Sequence, residues 1–296
     1  MTKKTRKFRK IYFFLCVIIL AFIIAFFGTK FEKPFFTKDS LDNPQDINDS
    51  RTIGPTLLEG SSDIEVLLVH GLGATAWETK KLAEYLNSKN MTTYQVLLAG
   101  HGTSIYDLEK SKSTEWYQSV QEAYNSMQKP KKFVIGESLG SLLALELSEK
   151  NKLDGVILLS APITFKDKRI KYTPFLMYFR RYYNRGIDPS QRLFYYENFP
   201  TKAIAEMVKY IGRIKKILPR INTSILIVQS KNDPRIDSQS AQYVYDSLGS
   251  EKKEIMWVNS SEHVLIIDYP DEDEHFANEQ LSIFQKINDF IIETSK

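Results

Sequence analysis

The sequence predicts an α/β fold in which helices wrap a mostly parallel central sheet. Short apolar runs recur along the chain, and most are followed by a segment whose apolar residues have helical spacing. Strands that alternate with helices in this way pair side by side in one parallel sheet. The chain has 296 residues, which is enough for one such domain with an appendage.

The charge of the chain argues against a dedicated nucleic-acid-binding protein. The net charge is only +4, and six basic residues within the first ten account for more than all of it. Nucleic-acid-binding domains usually carry a strongly basic face. The single cysteine, Cys16, has no partner for an intrachain disulfide.

The N-terminal region predicts a membrane anchor. Residues 1–10 are basic, and residues 11–27 are an unbroken apolar run. At about 1.5 Å per helical residue this run just spans a bilayer core. A basic segment stays in the cytoplasm, so we expect a single-pass protein of the cell membrane with everything after residue 27 on the extracytoplasmic side.

Two alternatives to an uncleaved anchor stay open. A cleaved signal peptide would need a small-x-small site, which the sequence around Ala25 does not supply cleanly. A lipoprotein would need a small residue just before its cysteine, and Val17 and Leu15 flank Cys16 instead.

A polar linker separates this segment from the folded domain. Residues 28–51 are rich in Lys, Asp, Asn, Ser and Pro and show no sustained period. The domain itself is expected over residues 52–296.

The alternation of elements begins after the linker. The expected strands lie at 64–70, 94–98, 132–135, 153–159, 224–229 and 253–258, and the expected helices at 77–87, 114–127, 139–150, 240–248 and 279–292. Ligands of such sheets bind beyond the carboxyl ends of the strands, so the loops that follow the strands are where functional residues are sought.

One of these loops carries a G-x-S-x-G motif, Gly136-Glu137-Ser138-Leu139-Gly140. It lies between an apolar run and a helix-like run, the setting of a nucleophile elbow. A strand that turns so sharply into a helix strains the backbone at the serine and leaves no room for side chains at the flanking positions. Because short glycine-serine patterns also arise by chance, the motif depends on its context.

That context includes a base and an acid for Ser138. His263 follows the last strand and Asp233 follows the preceding one, so both belong to the same edge of the sheet as Ser138. A serine nucleophile needs a histidine to take its proton and an acid to orient that histidine. Asp237 is a competitor for the acid, because element boundaries predicted from sequence are uncertain by a few residues.

An acyl-transfer site also needs two backbone donors for the oxyanion. Leu139, directly after the serine, would supply one N–H group, and Leu72, in the turn after the first strong strand, would supply the other. His70 and His101 lie beside glycines at strand ends, and we interpret both as structural.

Residues of about 161–220 interrupt the alternation with a dense aromatic and basic segment, which we call the cap. It predicts a helical insertion. Its aromatic residues either pack a small core of their own or face the substrate, and Tyr172, Phe175, Tyr178 and Phe179 are the candidates for a substrate pocket. Its arginines could instead contact anionic head groups, and these are Arg169, Arg180, Arg181 and Arg185.

No metal site is expected. Asp271-Glu272-Asp273-Glu274-His275 groups acidic residues with a histidine. Consecutive carboxylates without the spacing of a known binding loop usually form a solvated turn.

Taken together, these motifs resemble the α/β-hydrolase superfamily, and most closely bacterial carboxylesterases and monoacylglycerol lipases with a small cap. The motifs are His70-Gly71-Leu72-Gly73, Gly100-His101-Gly102, Gly136 to Gly140, Asp233 and Ser261-Glu262-His263-Val264. The resemblance extends from about residue 52 to the C-terminus.

The resemblance implies a serine esterase acting on carboxylic esters. The aromatic cap and the anchor favour a lipid-like ester over a small soluble one as the substrate. Ser138, Asp233 and His263 would form the triad, and Leu72 and Leu139 would be the oxyanion donors, without metal or organic cofactor. The sequence departs from the family's pattern at Ser141 and Glu262, where glycine is common, and the second departure weakens any transfer of substrate from relatives.

Two alternatives share the sequence features. A thioesterase or acyltransferase would use the same triad, and only competition between acceptors would separate them. A catalytically idle, membrane-tethered binding domain is the alternative of a different class, although no triad member is missing. The sequence does not indicate an oligomeric state.

Overall fold

A computed structural model describes residues 10, 12–20, 54–184, 194–267 and 274–296. The chain divides into two units, residues 1–41 and 42–296. In the first unit, residues 12–20 are helical and their side chains are exposed. Across the described ranges, no helix has the length and apolar character needed to cross a membrane. The remainder of the predicted anchor, residues 11 and 21–27, and the predicted linker lie outside the described residues.

The second unit is built on one sheet. Within the described residues it has seven strands in the order β1-β3-β2-β4-β5-β8-β9. The strands are β1 (Thr56–Leu58), β2 (Ile64–Val69), β3 (Thr92–Val96), β4 (Lys131–Glu137), β5 (Gly155–Leu159), β8 (Ser224–Ser230) and β9 (Lys253–Val258). Only β1 is antiparallel to its neighbour. The predicted parallel sheet is therefore present, with an antiparallel edge strand added.

Helices flank the sheet or belong to the cap. They are α1 (Lys80–Ser88), α2 (Ile105–Lys110), α3 (Ser113–Ser126), α4 (Leu139–Lys150), α5 (Thr173–Leu176), α6 (Thr201–Ile217), α7 (Gln239–Ser247) and α8 (Glu274–Thr294). Alternate residues of the central strands, such as Val66 and Leu68 of β2, share one buried core with α1 and α8. Because strand side chains alternate between faces, the next residues, Leu67 and Val69, face the opposite layer, and they are buried as well.

Several predicted boundaries were wrong. Strand β3 begins two residues before the predicted 94–98 and ends two residues earlier, because Thr92 and Thr93 are buried in the sheet although they are polar. Helix α8 begins at Glu274 rather than at 279. Helix α2 was not predicted; Ser104 caps it by accepting a hydrogen bond from the Asp107 N–H group.

The cap is only partly helical, which corrects the prediction of a helical insertion. A 3₁₀ turn, Lys168–Tyr172, leads into the short helix α5. Strands β6 (Tyr182–Asn184) and β7 (Asn198–Pro200) then pair as an antiparallel ladder. The long helix α6 follows directly, and its buried side joins the main domain through residues such as Tyr210 and Ile214.

Candidate active site

Ser138 lies at the turn between β4 and α4. Its φ is 51° and its ψ is −113°, a conformation that costs free energy for any residue with a side chain. A Cβ atom at Gly136 would overlap the backbone of Gly140, and one at Gly140 would overlap the carbonyl group of Val69. The close approach of β4, α4 and β2 thus explains both glycines of the motif.

His263 lies between Asp233 and Ser138. Its Nδ1 atom is 2.8 Å from Asp233 Oδ2, and its Nε2 atom is 3.1 Å from Ser138 Oγ. An ionised carboxylate can only accept, so Nδ1 carries the proton. Nε2 is then left to accept the hydrogen bond of the Ser138 hydroxyl.

Asp233 is fully buried after β8. Its second oxygen, Oδ1, accepts hydrogen bonds from the N–H groups of Arg235 at 2.8 Å and Ile236 at 2.9 Å. Burial alone would raise the pKa of Asp233, but the hydrogen bond and charge of His263 and these two N–H groups outweigh burial and lower it. The carboxyl group is therefore an anion at neutral pH.

Two serines that sequence reasoning did not identify hold the loop that contains His263. The hydroxyl of Ser160 donates to the carbonyl oxygen of His263 at 2.8 Å. The hydroxyl of Ser230 donates to the carbonyl oxygen of Ser260, three residues before the histidine. Both serines lie at strand ends beside the triad, and this position was the only signal in the sequence that pointed to them.

The two expected oxyanion donors belong to segments next to Ser138. Leu139 is the first residue of α4, and N–H groups of a first helical turn have no carbonyl partner within the helix. Leu72 follows Gly71, where a Cβ atom would lie 3.4 Å from the Cβ atom of Ser138. Among the described residues, no backbone carbonyl accepts from the Leu72 N–H group.

His70 fixes the peptide group that contains the Leu72 donor. Its Nε2 atom accepts from the Leu98 N–H group at 3.1 Å, so Nδ1 carries the proton and donates to the Gly71 carbonyl at 2.8 Å. Burial, followed by the nearby His101, lowers the pKa of His70 well below its usual value, which keeps the ring neutral. The Gly71 carbonyl and the Leu72 N–H belong to one trans peptide and point in opposite directions. His70 therefore sets the direction of the Leu72 N–H group.

His101 is also a buried, neutral histidine. Burial lowers its pKa to about 4 against the opposing hydrogen bonds of Ala99 and Leu98. Its ring packs edge-on against His70, with the ring centroids 5.0 Å apart. These contacts fit the structural role expected for both residues.

The competitor for the acid, Asp237, lies elsewhere. Its carboxylate pairs with Lys168 at 2.8 Å and accepts from the Gln239 N–H group at 3.1 Å. Gln239 is the first residue of α7, so Asp237 is held at the start of that helix. Among the described residues it makes no hydrogen bond with His263.

The four aromatic residues expected to line a pocket are largely exposed. The exposed fractions are 49% for Tyr172, 53% for Phe175, 75% for Tyr178 and 74% for Phe179. Phe175 and Phe179 contact each other, with ring centroids 5.1 Å apart. The structure thus leaves all four side chains accessible to solvent on the cap, and their role in a substrate pocket stays a prediction.

The basic residues of the cap are mostly engaged in pairs. Arg169 pairs with Asp167, Arg181 pairs with Glu109, and Arg180 donates to the carbonyl of Tyr182. Arg185 lies outside the described residues.

In the described part of the chain, no group of three or more His, Cys, Asp or Glu residues is placed to hold a metal ion. Residues 271–273 of the acidic run lie outside it.

The fold and the geometry around Ser138 define the class of protein. A parallel sheet with an antiparallel edge strand, a strained serine between β4 and the helix after it, and an aspartate and a histidine after the last two strands are the features of the α/β-hydrolase fold.

Comparison with known proteins agrees with this class. The sequence model of the serine aminopeptidase family S33 matches residues 60–192, a range that contains Ser138. A carboxylesterase of Bacillus subtilis is 25% identical over 213 residues, which cover 70% of this chain and 87% of the relative. A thermostable monoacylglycerol lipase of a Bacillus species is 29% identical over 212 residues, covering 70% and 85%.

Solved structures share the fold. A chain from a study of two metagenome-derived lipolytic enzymes superposes with a TM-score of 0.68 at 22% identity, covering 79% of this chain and 98% of that one. The monoacylglycerol lipase of Paleococcus ferrophilus gives a TM-score of 0.62 at 19% identity, covering 80% and 99%. The chain thus has the α/β-hydrolase fold and resembles esterases and monoacylglycerol lipases.

Proposed function

We propose that this protein hydrolyses carboxylic esters through a covalent acyl-enzyme on Ser138. The observation that carries the proposal is the pair of contacts from Ser138 Oγ to His263 Nε2 and from His263 Nδ1 to Asp233 Oδ2. The relatives named as a carboxylesterase and a monoacylglycerol lipase support the choice of ester as substrate.

In the first step, His263 Nε2 takes the hydroxyl proton as Ser138 Oγ forms a bond to the ester carbonyl carbon. The carbonyl oxygen becomes an anion, and the N–H groups of Leu72 and Leu139 would stabilise it. The protonated His263 then gives its proton to the alkoxy oxygen, the carbon–oxygen bond breaks, and the alcohol leaves. Asp233 stays ionised throughout and stabilises the imidazolium.

In the second step, water replaces the alcohol. His263 takes a proton from the water as its oxygen attacks the acyl carbon, and the same two N–H groups bind the new oxyanion. Collapse of this intermediate returns the proton to Ser138 Oγ and releases the carboxylic acid.

Labelling with a fluorophosphonate probe tests the proposal directly. We expect the folded wild-type chain to label, and the Ser138→Ala chain not to label and to lose esterase activity. Ser148→Ala serves as the matched control and should still label, because Ser148 is a buried serine of α4 that donates to the backbone carbonyl of Leu145 and is not the proposed nucleophile. A folded wild-type chain that does not label would overturn the proposal.

Lipid-like monoesters are the substrate class that we propose within this activity. The exposed aromatic side chains of α5 and its flanks give the cap an apolar outer surface, and large exposed apolar patches usually mark interaction sites. We therefore expect monoacylglycerols to be hydrolysed at least as efficiently as short-chain esters. A strict preference for short, soluble esters would contradict this choice.

Membrane anchoring through residues 11–27 is a further part of the proposal. Its support is the apolar run and the basic residues that precede it. Fractionation of the full chain and of a chain beginning at residue 52 tests it, since only the full chain is expected in the membrane fraction.

A further inference from the structure

A buried acid outside the triad lies against the oxyanion loop, which we define as residues 70–73. Glu78 belongs to the 3₁₀ turn Ala76–Thr79, and only 2% of its surface is exposed. Burying a carboxyl group is costly unless it is hydrogen-bonded. Its partners therefore show which neighbouring groups it holds.

Both oxygens of Glu78 accept hydrogen bonds. The Gly71 N–H group donates to Oε2 at 2.5 Å, and the Tyr195 hydroxyl donates to Oε1 at 2.8 Å. A carboxylate that accepts from a backbone N–H group makes a strong, charge-assisted hydrogen bond. The amide of Gly71 is thus held by a side chain seven residues away.

This contact complements the one made by His70. His70 holds the carbonyl group of Gly71, and Glu78 holds its N–H group, so both peptide groups that flank Gly71 are fixed. The position of a Cβ atom at Gly71 would lie 3.2 Å from Glu78 Oε2 and 3.4 Å from Ser138 Cβ. The fixed stretch of backbone therefore runs between Glu78 and the nucleophile.

The cap holds the opposite side of Glu78. Tyr195 belongs to residues 194–200, the part of the cap that leads into α6. We call these residues the return segment. The Tyr196 N–H group donates to the Gly73 carbonyl at 3.0 Å, and Phe194 stacks on Trp77 with ring centroids 3.5 Å apart. Three successive aromatic residues of the return segment thus contact the oxyanion loop or the turn that follows it.

We propose that Glu78 is a positioning residue for ester hydrolysis, which holds the Gly71 amide so that the neighbouring Leu72 N–H group faces the developing oxyanion. Tyr195 holds the carboxyl group in this orientation. The inference rests on the proposed function, because it concerns the oxyanion of that reaction.

Glu78→Met tests this role because methionine has a similar volume and cannot accept from Gly71. Removing one oxyanion donor lowers kcat by about 10²–10³-fold, so misaligning it should lower kcat by about 10–100-fold. KM for a 4-nitrophenyl ester should change by less than about threefold, because the donor acts mainly in the transition state. The affinity of phenylboronic acid, which forms a tetrahedral adduct on a serine, should fall with kcat.

Glu78→Gln is the rescue variant. Its amide oxygen can accept from Gly71, and its amide nitrogen can donate to the Tyr195 oxygen. We expect its kcat to lie within about fivefold of that of the wild type. Tyr195→Phe should give a smaller loss of kcat than Glu78→Met, and it keeps the proposal testable should the methionine variant fail to fold.

Tyr210→Phe is the matched control. Its hydroxyl donates to buried Glu146 at 2.6 Å and makes no hydrogen bond with the oxyanion loop among the described residues. We expect this variant to lose thermal stability while its kcat stays within about twofold. A folded Glu78→Met chain with wild-type kcat and boronate affinity would overturn the inference alone. A wild type without Ser138-dependent labelling would remove the proposed function, and the inference with it.

Discussion

Glu137, the residue before the nucleophile, makes the stability of this protein depend on pH. Its side chain is fully buried. Burial, followed by the negative charges of Glu78 and Asp233, raises its pKa well above the usual value, and opposing contacts with Leu265 and Ser160 only partly offset this. Glu137 is therefore protonated in the folded protein under conditions in which the unfolded chain loses the proton.

The sign of the effect follows from the raised pKa. Stability contributed by the protonated group is complete below the unfolded pKa of about 4.3 and is lost progressively as the pH rises toward the folded pKa. Each pH unit in this window costs about 1.4 kcal/mol of unfolding free energy, because only the unfolded state releases the proton. Glutamine has nearly the shape of the protonated acid and does not titrate.

Glu137→Gln should therefore gain stability over the wild type as the pH rises. Within the window between the unfolded and the folded pKa, this gain grows by about 1.4 kcal/mol for each pH unit. In a domain of this size each pH unit then corresponds to about 3–6 °C in the melting temperature. Urea unfolding followed by tryptophan fluorescence at pH 5, 6 and 7 measures the difference between the two proteins.

Glu146→Gln provides the control for this experiment. Burial would raise the pKa of Glu146, but Lys150, Tyr210 and Arg213 outweigh it and lower the pKa. Glu146 is then ionised in both the folded and the unfolded state above about pH 5. The unfolding free energy of this variant should therefore differ from that of the wild type by a constant amount. A constant or shrinking difference for Glu137→Gln over the same range would refute the reasoning.

Two further predictions concern the proposed catalytic machinery. Asp233→Asn should lower kcat by about 10³–10⁴-fold, because the amide no longer enforces the tautomer of His263. The kcat of Asp237→Asn should stay within about twofold of the wild type, because this change breaks only a surface ion pair. Steady-state kinetics of the two variants measure the difference. Leu72→Pro removes the N–H group and should lower kcat by about 10²–10³-fold. Leu72→Ala keeps the N–H group and should lower kcat far less. Equal losses of kcat in the two variants would assign the effect to packing.

The sequence predicted the central strands well where burial is complete on both faces. Strand β2 is apolar except for Glu65, and β4 contains the buried apolar run Phe133-Val134-Ile135; such runs are typical of parallel sheets. Strand β1 was missed because it has only three residues and half-exposed Leu57, which give no detectable period. The mixture of helix and strand in the cap was missed because its aromatic residues have neither a helical nor a strand period.

The candidate site was predictable to the extent that topology determines it. Strand-end loops of a parallel sheet meet at one edge, so Ser138, Asp233 and His263 could be expected together, and their side chains do contact one another. Their catalytic roles stay predictions. The contacts of Glu78 with Tyr195 and of Ser160 with His263 could not be anticipated, because each joins segments that are distant in sequence and whose approach is set by packing. The assignment of Tyr172 and its aromatic neighbours to a substrate pocket also stays a prediction, since residue type alone does not determine what an exposed aromatic side chain contacts.

The return segment has a practical consequence for exchanging caps between related enzymes. Phe194, Tyr195 and Tyr196 contact the oxyanion loop or the turn after it, and a Cβ atom at Gly73 would overlap the ring of Phe199. A chimera that takes all of residues 161–220 from another protein would replace these contacts together with the rest of the cap. Fusion points at about residues 161 and 193 would change the cap while leaving the support of the catalytic backbone native.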